Sequence, residues 1–276
     1  MTAPIAVRKT PRWRFIVPNA ITCGSLVVGL AAIAGAFVTA DFAGSAWLVI
    51  LAVLLDKLDG TVARLLRATS AIGTQLDSFA DFVTFGIAPG ALLFASGLHA
   101  RAHAPSTLWA GEAGLVLLAV LSATYVVCTC LRLAKFNVLQ DVLPADGPKV
   151  FYGMPSTFAG GLVAVLYLLG DKYGATGMLD ALPIISLGLA LLMVSNMPLP
   201  KVVMRKAVWL NAIQIVSVVT TYAVGFLRIL PEYLAVNIAV YAAVGFAWGL
   251  KHRKRLLAAR RLDLYPDHSD EAGGPT

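Results

Sequence analysis

The chain has 276 residues, 58% of them hydrophobic and only 13% charged, with a mean hydropathy of +0.78 and a net charge of +7. Soluble proteins hold roughly 45–50% apolar and about 25% charged residues, which excludes a soluble enzyme or a disordered chain, and cysteines confined to apolar runs (Cys23, Cys128, Cys130) exclude a secreted disulfide scaffold. The positive charge does not point to nucleic acid, because in a chain of repeated membrane-length apolar runs Lys and Arg report orientation first.

Apolar stretches bounded by charge or Pro predict an all-α polytopic bundle of eight transmembrane helices, near 18–40, 43–66, 74–98, 110–135, 155–170, 178–197, 207–228 and 232–250. A basic N-terminal segment (1–17) then precedes a transmembrane catalytic domain (18–250), and a basic juxtamembrane segment with a disordered tail follows (251–276). The run from Ile21 to Ala40 is longer than the 7–15 residues of a signal-peptide core, so it reads as a spanning helix. No internal repeat, Walker-type phosphate loop or dinucleotide fingerprint is present.

With the N-terminus inside, the cytoplasmic segments hold Arg8, Lys9, Arg12 and Arg14, then Lys57, Arg64 and Arg67, then Arg132, Lys135 and Lys149. Lys201, Arg205 and Lys206 follow, and the C-terminal segment adds Lys251, Arg253, Lys254, Arg255, Arg260 and Arg261. Only Arg101, Lys172 and Arg228 fall on the other side, an asymmetry that places both termini in the cytoplasm.

Four of the 15 acidic residues, Asp56, Asp59, Asp77 and Asp81, flank the second cytoplasmic turn. A charge at the centre of a membrane helix costs roughly 2.5–3.5 kcal/mol even on the lenient insertion scale, so such a cluster needs compensation from neighbouring Lys and Arg or from a cation. Asp56 and Asp59 share one helix face, and Asp77 and Asp81 share a face of the next helix, so two carboxylate pairs can converge across one hairpin. An all-oxygen cluster suits two divalent cations, Mg²⁺ or Mn²⁺ with Ca²⁺ also admissible, and two metals can bind both sides of an in-line phosphoryl displacement. Gly60 and Ala63 leave room for a ligand, and Arg64 can meet phosphate oxygens with its planar fork.

In order these residues read Asp56-x-x-Asp59-Gly60-x-x-Ala63-Arg64, then Gly73, Asp77 and Asp81. The pattern resembles the signature of the CDP-alcohol phosphatidyltransferase family at every motif position. The resemblance implies a transferase that cleaves the pyrophosphate of a CDP-linked lipid, passes the phosphatidyl group to an alcohol and releases CMP. It implies Asp56, Asp59, Asp77 and Asp81 as metal ligands, with Asp81 also a candidate catalytic base, and Asn19, Asp59, Gly60, Ala63, Arg64 and Gly73 as CDP-lipid-binding positions. A family core of six helices would make two of the eight additions.

Pro18-Asn19-x-x-Thr22, Asp81-Phe-Val-Thr-Phe-Gly-Ile-Ala-Pro89, Arg132-Leu-Ala-Lys135-Phe-Asn137 and Phe151-Tyr-Gly-Met-Pro-Ser156 resemble the bacterial and archaeal phosphatidylserine synthase branch, whereas Ser195-Asn-Met-Pro-Leu-Pro departs from it. The branch implies CDP-diacylglycerol and L-serine as substrates, membrane lipids as surroundings, and a prokaryotic cytoplasmic membrane with the active site at the cytoplasmic face. Serine needs a cation for its carboxylate and an acceptor for its ammonium, and Arg132, Lys135 and Asn137 are the candidates, with membrane anchoring, phosphate binding or helix capping as their plainer roles. Other acceptors within the same chemistry are glycerol phosphate, inositol phosphate and choline.

His99 and His103 have helical spacing but fall in a predicted outer loop, which favours a loop role over metal binding. Gly86-x-x-x-Gly90 and Gly245-x-x-x-Gly249 suit helix packing, within the fold or across a homodimer. A cation-coupled transporter is the competing class, but the acids cluster at one end of the helices instead of the bilayer midplane.

Overall fold

The computed structural model describes residues 13–68, 70–104, 107–142, 150–200 and 208–259. They form eight continuous helical segments, the number expected: α1 (Trp13–Thr39), α2 (Phe42–Leu66), α3 (Ala71–His103), α4 (Gly111–Val142), α5 (Ser156–Lys172), α6 (Thr176–Val194), α7 (Val208–Leu227) and α8 (Pro231–Ala259). Five are long and apolar enough to cross a membrane by themselves: α1, α3, α4, α6 and the Pro231–His252 part of α8. Large apolar side chains such as Val27, Leu30, Leu117, Val219 and Val240 point outward, as they do where the surrounding solvent is lipid. The fold is that of an all-α polytopic membrane protein.

Several boundaries differ from expectation. α1 starts at Trp13, inside the stretch read as a basic extension, and carries Pro18 in its second turn. α4 runs to Val142 because nothing breaks it before Pro144. His99 and His103 sit on the last turns of α3, stacked at 4.1 Å, and not in a loop. The basic segments Arg8–Arg12 and Lys201–Lys206, Lys149, and the tail from residue 260 lie outside the described residues.

α3 contains one wide π-helical turn, Phe82–Ile87, just before Pro89. Pro89 has no N–H to offer the carbonyl of Phe85, and the buried hydroxyl of Tyr125 on α4 donates to that carbonyl instead at 3.0 Å. Small residues allow the close helix approaches around it. A Cβ on Gly29 would fall 2.6 Å from Thr84 Cγ2, and one on Gly90 would fall 2.6 Å from Val126 Cγ2. The Gly86 and Gly90 pair therefore packs α3 on α4 within the chain.

One departure from pure helix is a two-stranded antiparallel pair, β1 (Val150–Tyr152) with β2 (Pro198–Pro200). It joins the segment entering α5 to the segment leaving α6. A Cβ on Gly249 would fall 2.2 Å from the carbonyl oxygen of Pro198, so the Gly245 and Gly249 face of α8 is occupied by β2.

Candidate active site

α1 packs against both α2 and α3 and so sets the separation of the two acidic helices. α2 begins with Asp41, whose carboxylate accepts from the Gly44 N–H at 2.8 Å, and ends at Arg67 in the left-handed conformation (φ 50°). α3 begins with Ser70, whose hydroxyl accepts from the Gly73 N–H at 3.0 Å. A side chain at residue 73 would meet Ser70 Oγ at 3.0 Å and Asn19 Oδ1 at 3.1 Å, which explains glycine there and brings two of the expected CDP-lipid positions together.

Between these helices the carboxylates converge. Oxygen atoms of Asp56, Asp59 and Asp77 lie within 4.8 Å of one another, and Asp81 lines the same cavity next to Asp56 and Asp77. Asp59 is 4% exposed and accepts a 2.7 Å hydrogen bond from Thr22 on α1. Lys57 pairs with Asp56 at 3.0 Å. Lys57, Arg64 and Arg132 bring three positive charges to a cavity with four carboxylates, and the cluster of hard oxygen donors of Asp56, Asp59 and Asp77 fits divalent cations bound by these aspartates.

The cavity has a volume of about 660 Å³. Gly60 and Arg64 line it from α2, and a Cβ on Gly60 would meet nothing within 4 Å, so its missing side chain leaves open space toward a ligand. Ala63 lies on the same helix between them and does not line the cavity. Arg132 reaches the cavity from α4, 7% exposed, its guanidinium 3.1 Å from the Ser156 hydroxyl and 4.9 Å from the Phe136 ring centre.

The other two residues of the expected serine group lead elsewhere. Lys135 donates to the carbonyls of Val194 (3.0 Å) and Ser195 (2.9 Å) and to Asn196 Oδ1 (2.8 Å), capping the C-terminal end of α6. Asn137 and Ser78 hydrogen bond at 3.0 Å, tying α4 to α3 beside the aspartate cluster. Neither lines the cavity.

Sequence reasoning did not anticipate the far wall, built from Phe151, Thr157 and Phe158 with Asn237, Ile238 and Tyr241 of α8. A signal existed: Asn237 and Tyr241 stand four apart in the otherwise apolar stretch 234–250, and so on one face.

Fold and site together define a helical membrane protein with a carboxylate-lined cavity fit for phosphate chemistry. The CDP-alcohol phosphatidyltransferase model matches residues 15–194, and the chain belongs to that family. The match spans α1 to α6, six helices, and leaves α7 and α8 beyond it. The chain is similar to the CDP-diacylglycerol–serine O-phosphatidyltransferase of Mycobacterium tuberculosis, 35% identical over 78% of this chain and 68% of the relative. It is also similar to proteins of that name from Helicobacter pylori (33%, covering 84% and 90%) and Bacillus subtilis (36%, covering 67% and 89%).

Proposed function

We propose that this protein transfers the phosphatidyl group of CDP-diacylglycerol to the hydroxyl of L-serine, forming phosphatidylserine and CMP. The observation that carries the reading is the convergence of the signature aspartates, with Gly60, Arg64 and Arg132, on one cavity. The names of the relatives support serine as the acceptor.

Asp56, Asp59, Asp77 and Asp81 would hold two divalent cations, Mg²⁺ or Mn²⁺, which when bound supply charge stabilisation to the pyrophosphate oxygens. Arg64 and the open face at Gly60 receive the pyrophosphate, and the resemblance to the family assigns Asn19, Ala63 and Gly73 to the CDP-lipid although they do not line this cavity. The serine hydroxyl oxygen forms a bond to the lipid-bearing phosphorus, the phosphorus–oxygen bond to CMP breaks, and Asp81 takes the hydroxyl proton. Arg132 pairs with the serine carboxylate, and since Lys135 and Asn137 are engaged elsewhere, Arg132 is the cation for that task.

The membrane is a prokaryotic cytoplasmic membrane with the site at its cytoplasmic face, a placement supported by the basic residues at that end of the helices. The test supplies purified protein with CDP-diacylglycerol and, separately, serine, glycerol phosphate, inositol phosphate or choline, and identifies the lipid formed. Phosphatidylserine, lost on chelation and restored by Mg²⁺ or Mn²⁺, is the expected product. Another phospholipid would reassign the acceptor.

A further inference from the structure

The cavity is lined by residues of α2, α3, α4, α5 and α8, and α7 packs behind it against α2 and α8. Asp56 and Asp59 face it from α2, and Asn237, Ile238 and Tyr241 face it from α8. The α8 wall belongs to the part of the chain beyond the family match.

Asn237 is the polar group of this wall, and its orientation is fixed. The carbonyl of Tyr233 can only accept, so the amide nitrogen of Asn237 must be the atom 3.1 Å from it. The Ser217 hydroxyl on α7 then donates to the amide oxygen at 2.9 Å. A primary amide has two N–H donors and two oxygen lone pairs, so the second N–H is taken by neither the Tyr233 carbonyl nor the Ser217 hydroxyl, and Asn237 lines the cavity. The Tyr241 ring, 5.3 Å from that of Phe158, stands one turn closer to β2, and its hydroxyl donates to the Pro200 carbonyl at 3.3 Å.

Depth decides what this N–H meets. Gly245 and Gly249 of α8 pack at the level of β2, and Asn237 lies about 12 Å farther into the Pro231–His252 span, at a rise of ~1.5 Å per residue. Val53, Gly161 and Ile238 line the same cavity, and Val53 is nearly one turn inward of Asp56. A water-soluble acceptor has no reason to descend past the aspartates into this apolar end. The glycerol esters of a CDP-lipid do, because the acyl chains draw them toward the hydrocarbon side of the pyrophosphate.

Resting on the phosphatidyl-transfer reading, we propose that Asn237 is a lipid-recognition residue whose second N–H donates to an ester carbonyl of the diacylglycerol moiety, so that the α7–α8 pair selects ester-linked CDP-lipids.

The test compares CDP-diacylglycerol with its diether analogue, CDP-dialkylglycerol, which lacks the carbonyls. A neutral hydrogen bond is worth about 0.5–1.5 kcal/mol net, so wild-type protein should favour the diester by roughly two- to tenfold in kcat/KM for the CDP-lipid. Asn237→Leu should bring that ratio close to one while leaving the KM for serine unchanged. If Asn237→Leu does not fold, Asn237→Asp keeps the shape and the acceptor for Ser217 but removes the N–H, and it should collapse the ratio likewise. A diester-to-diether ratio near one in wild type, or one unmoved in the variants, overturns the assignment, since a residue serving only to join α7 and α8 would slow both lipids equally. Absence of phosphatidylserine with either lipid in wild type would instead overturn the functional reading.

Discussion

The hydroxyl of Thr22 lies 2.7 Å from a carboxylate oxygen of Asp59, 37 residues away, and 3.1 Å from the carbonyl of Pro18 one turn back on its own helix. It has one proton to donate, and the bond to the charged oxygen is the stronger of the two. Thr22 thus aims Asp59 from α1 without facing the substrate cavity itself.

Thr22→Val keeps the shape and removes this bond. Loss of a hydrogen bond that orients a metal ligand typically costs about 10–100-fold in metal affinity, so the Mg²⁺ or Mn²⁺ needed for half-maximal activity should rise by that order. Thr22→Ser should restore most of it. A metal titration unchanged in Thr22→Val would remove Thr22 from the site.

Asp81→Asn keeps size but loses the base and one negative charge, and should lower kcat by about 10²–10⁴-fold. Metal affinity measured beside the rate separates the two roles of Asp81: near-normal occupancy with little turnover marks the base, and lost occupancy marks a ligand. Wild-type turnover would refute both.

Arg132 and Lys135 are neighbours on one helix with different tasks. Arg132→Ala should raise the KM for serine by about 10–100-fold, the loss of a charge-assisted hydrogen bond of some 1.5–3 kcal/mol, with the KM for CDP-diacylglycerol little changed. Lys135→Met should leave the KM for serine alone and lower thermal stability in detergent, because it uncovers the terminal carbonyls of α6. A lipid-specific defect in Arg132→Ala would move that residue to the phosphates.

Gly60 and Gly73 should respond oppositely to alanine. At Gly60 the added methyl meets no protein atom, so Gly60→Ala should fold as wild type and bind CDP-diacylglycerol more weakly. At Gly73 it crowds Ser70 and Asn19, so Gly73→Ala should lower the melting temperature as well as activity. Equal stability losses in the two variants would contradict the open face at Gly60.

Orientation is accessible to labelling. In a background without Cys23, Cys128 and Cys130, a cysteine at position 67 should react only with reagents that reach the cytoplasm, and one at 108 with impermeant reagents outside. External reaction at 67 would reverse the topology.

The aspartates were legible in the sequence because charge inside an apolar chain is expensive and therefore conspicuous. The eight helices were legible for the related reason that membrane thickness fixes their length. The partition of Arg132 from Lys135 was not, because helical spacing places both on one side without saying which neighbour each meets. The β1–β2 pair was equally hidden: two of the three β2 residues are prolines, which lack N–H donors and belong only to edge strands. Its register also depends on where α5 and α6 bring two distant segments. Asn237 was not singled out from the sequence, because only the packing of α7 and α8 against α2 and α5 places it on the wall of the aspartate cavity.

That last arrangement has a consequence for biosynthesis. All four aspartates, and Thr22 that aims one of them, emerge from the ribosome within the first 81 residues, whereas Asn237 and Tyr241 emerge near the end. A chain made from its N-terminus therefore carries its acidic groups through the insertion of four further helices before α8 is made, the helix that packs on α5 and β2 and walls the cavity. The last wall of the cavity is thus supplied by a helix that carries none of the signature residues.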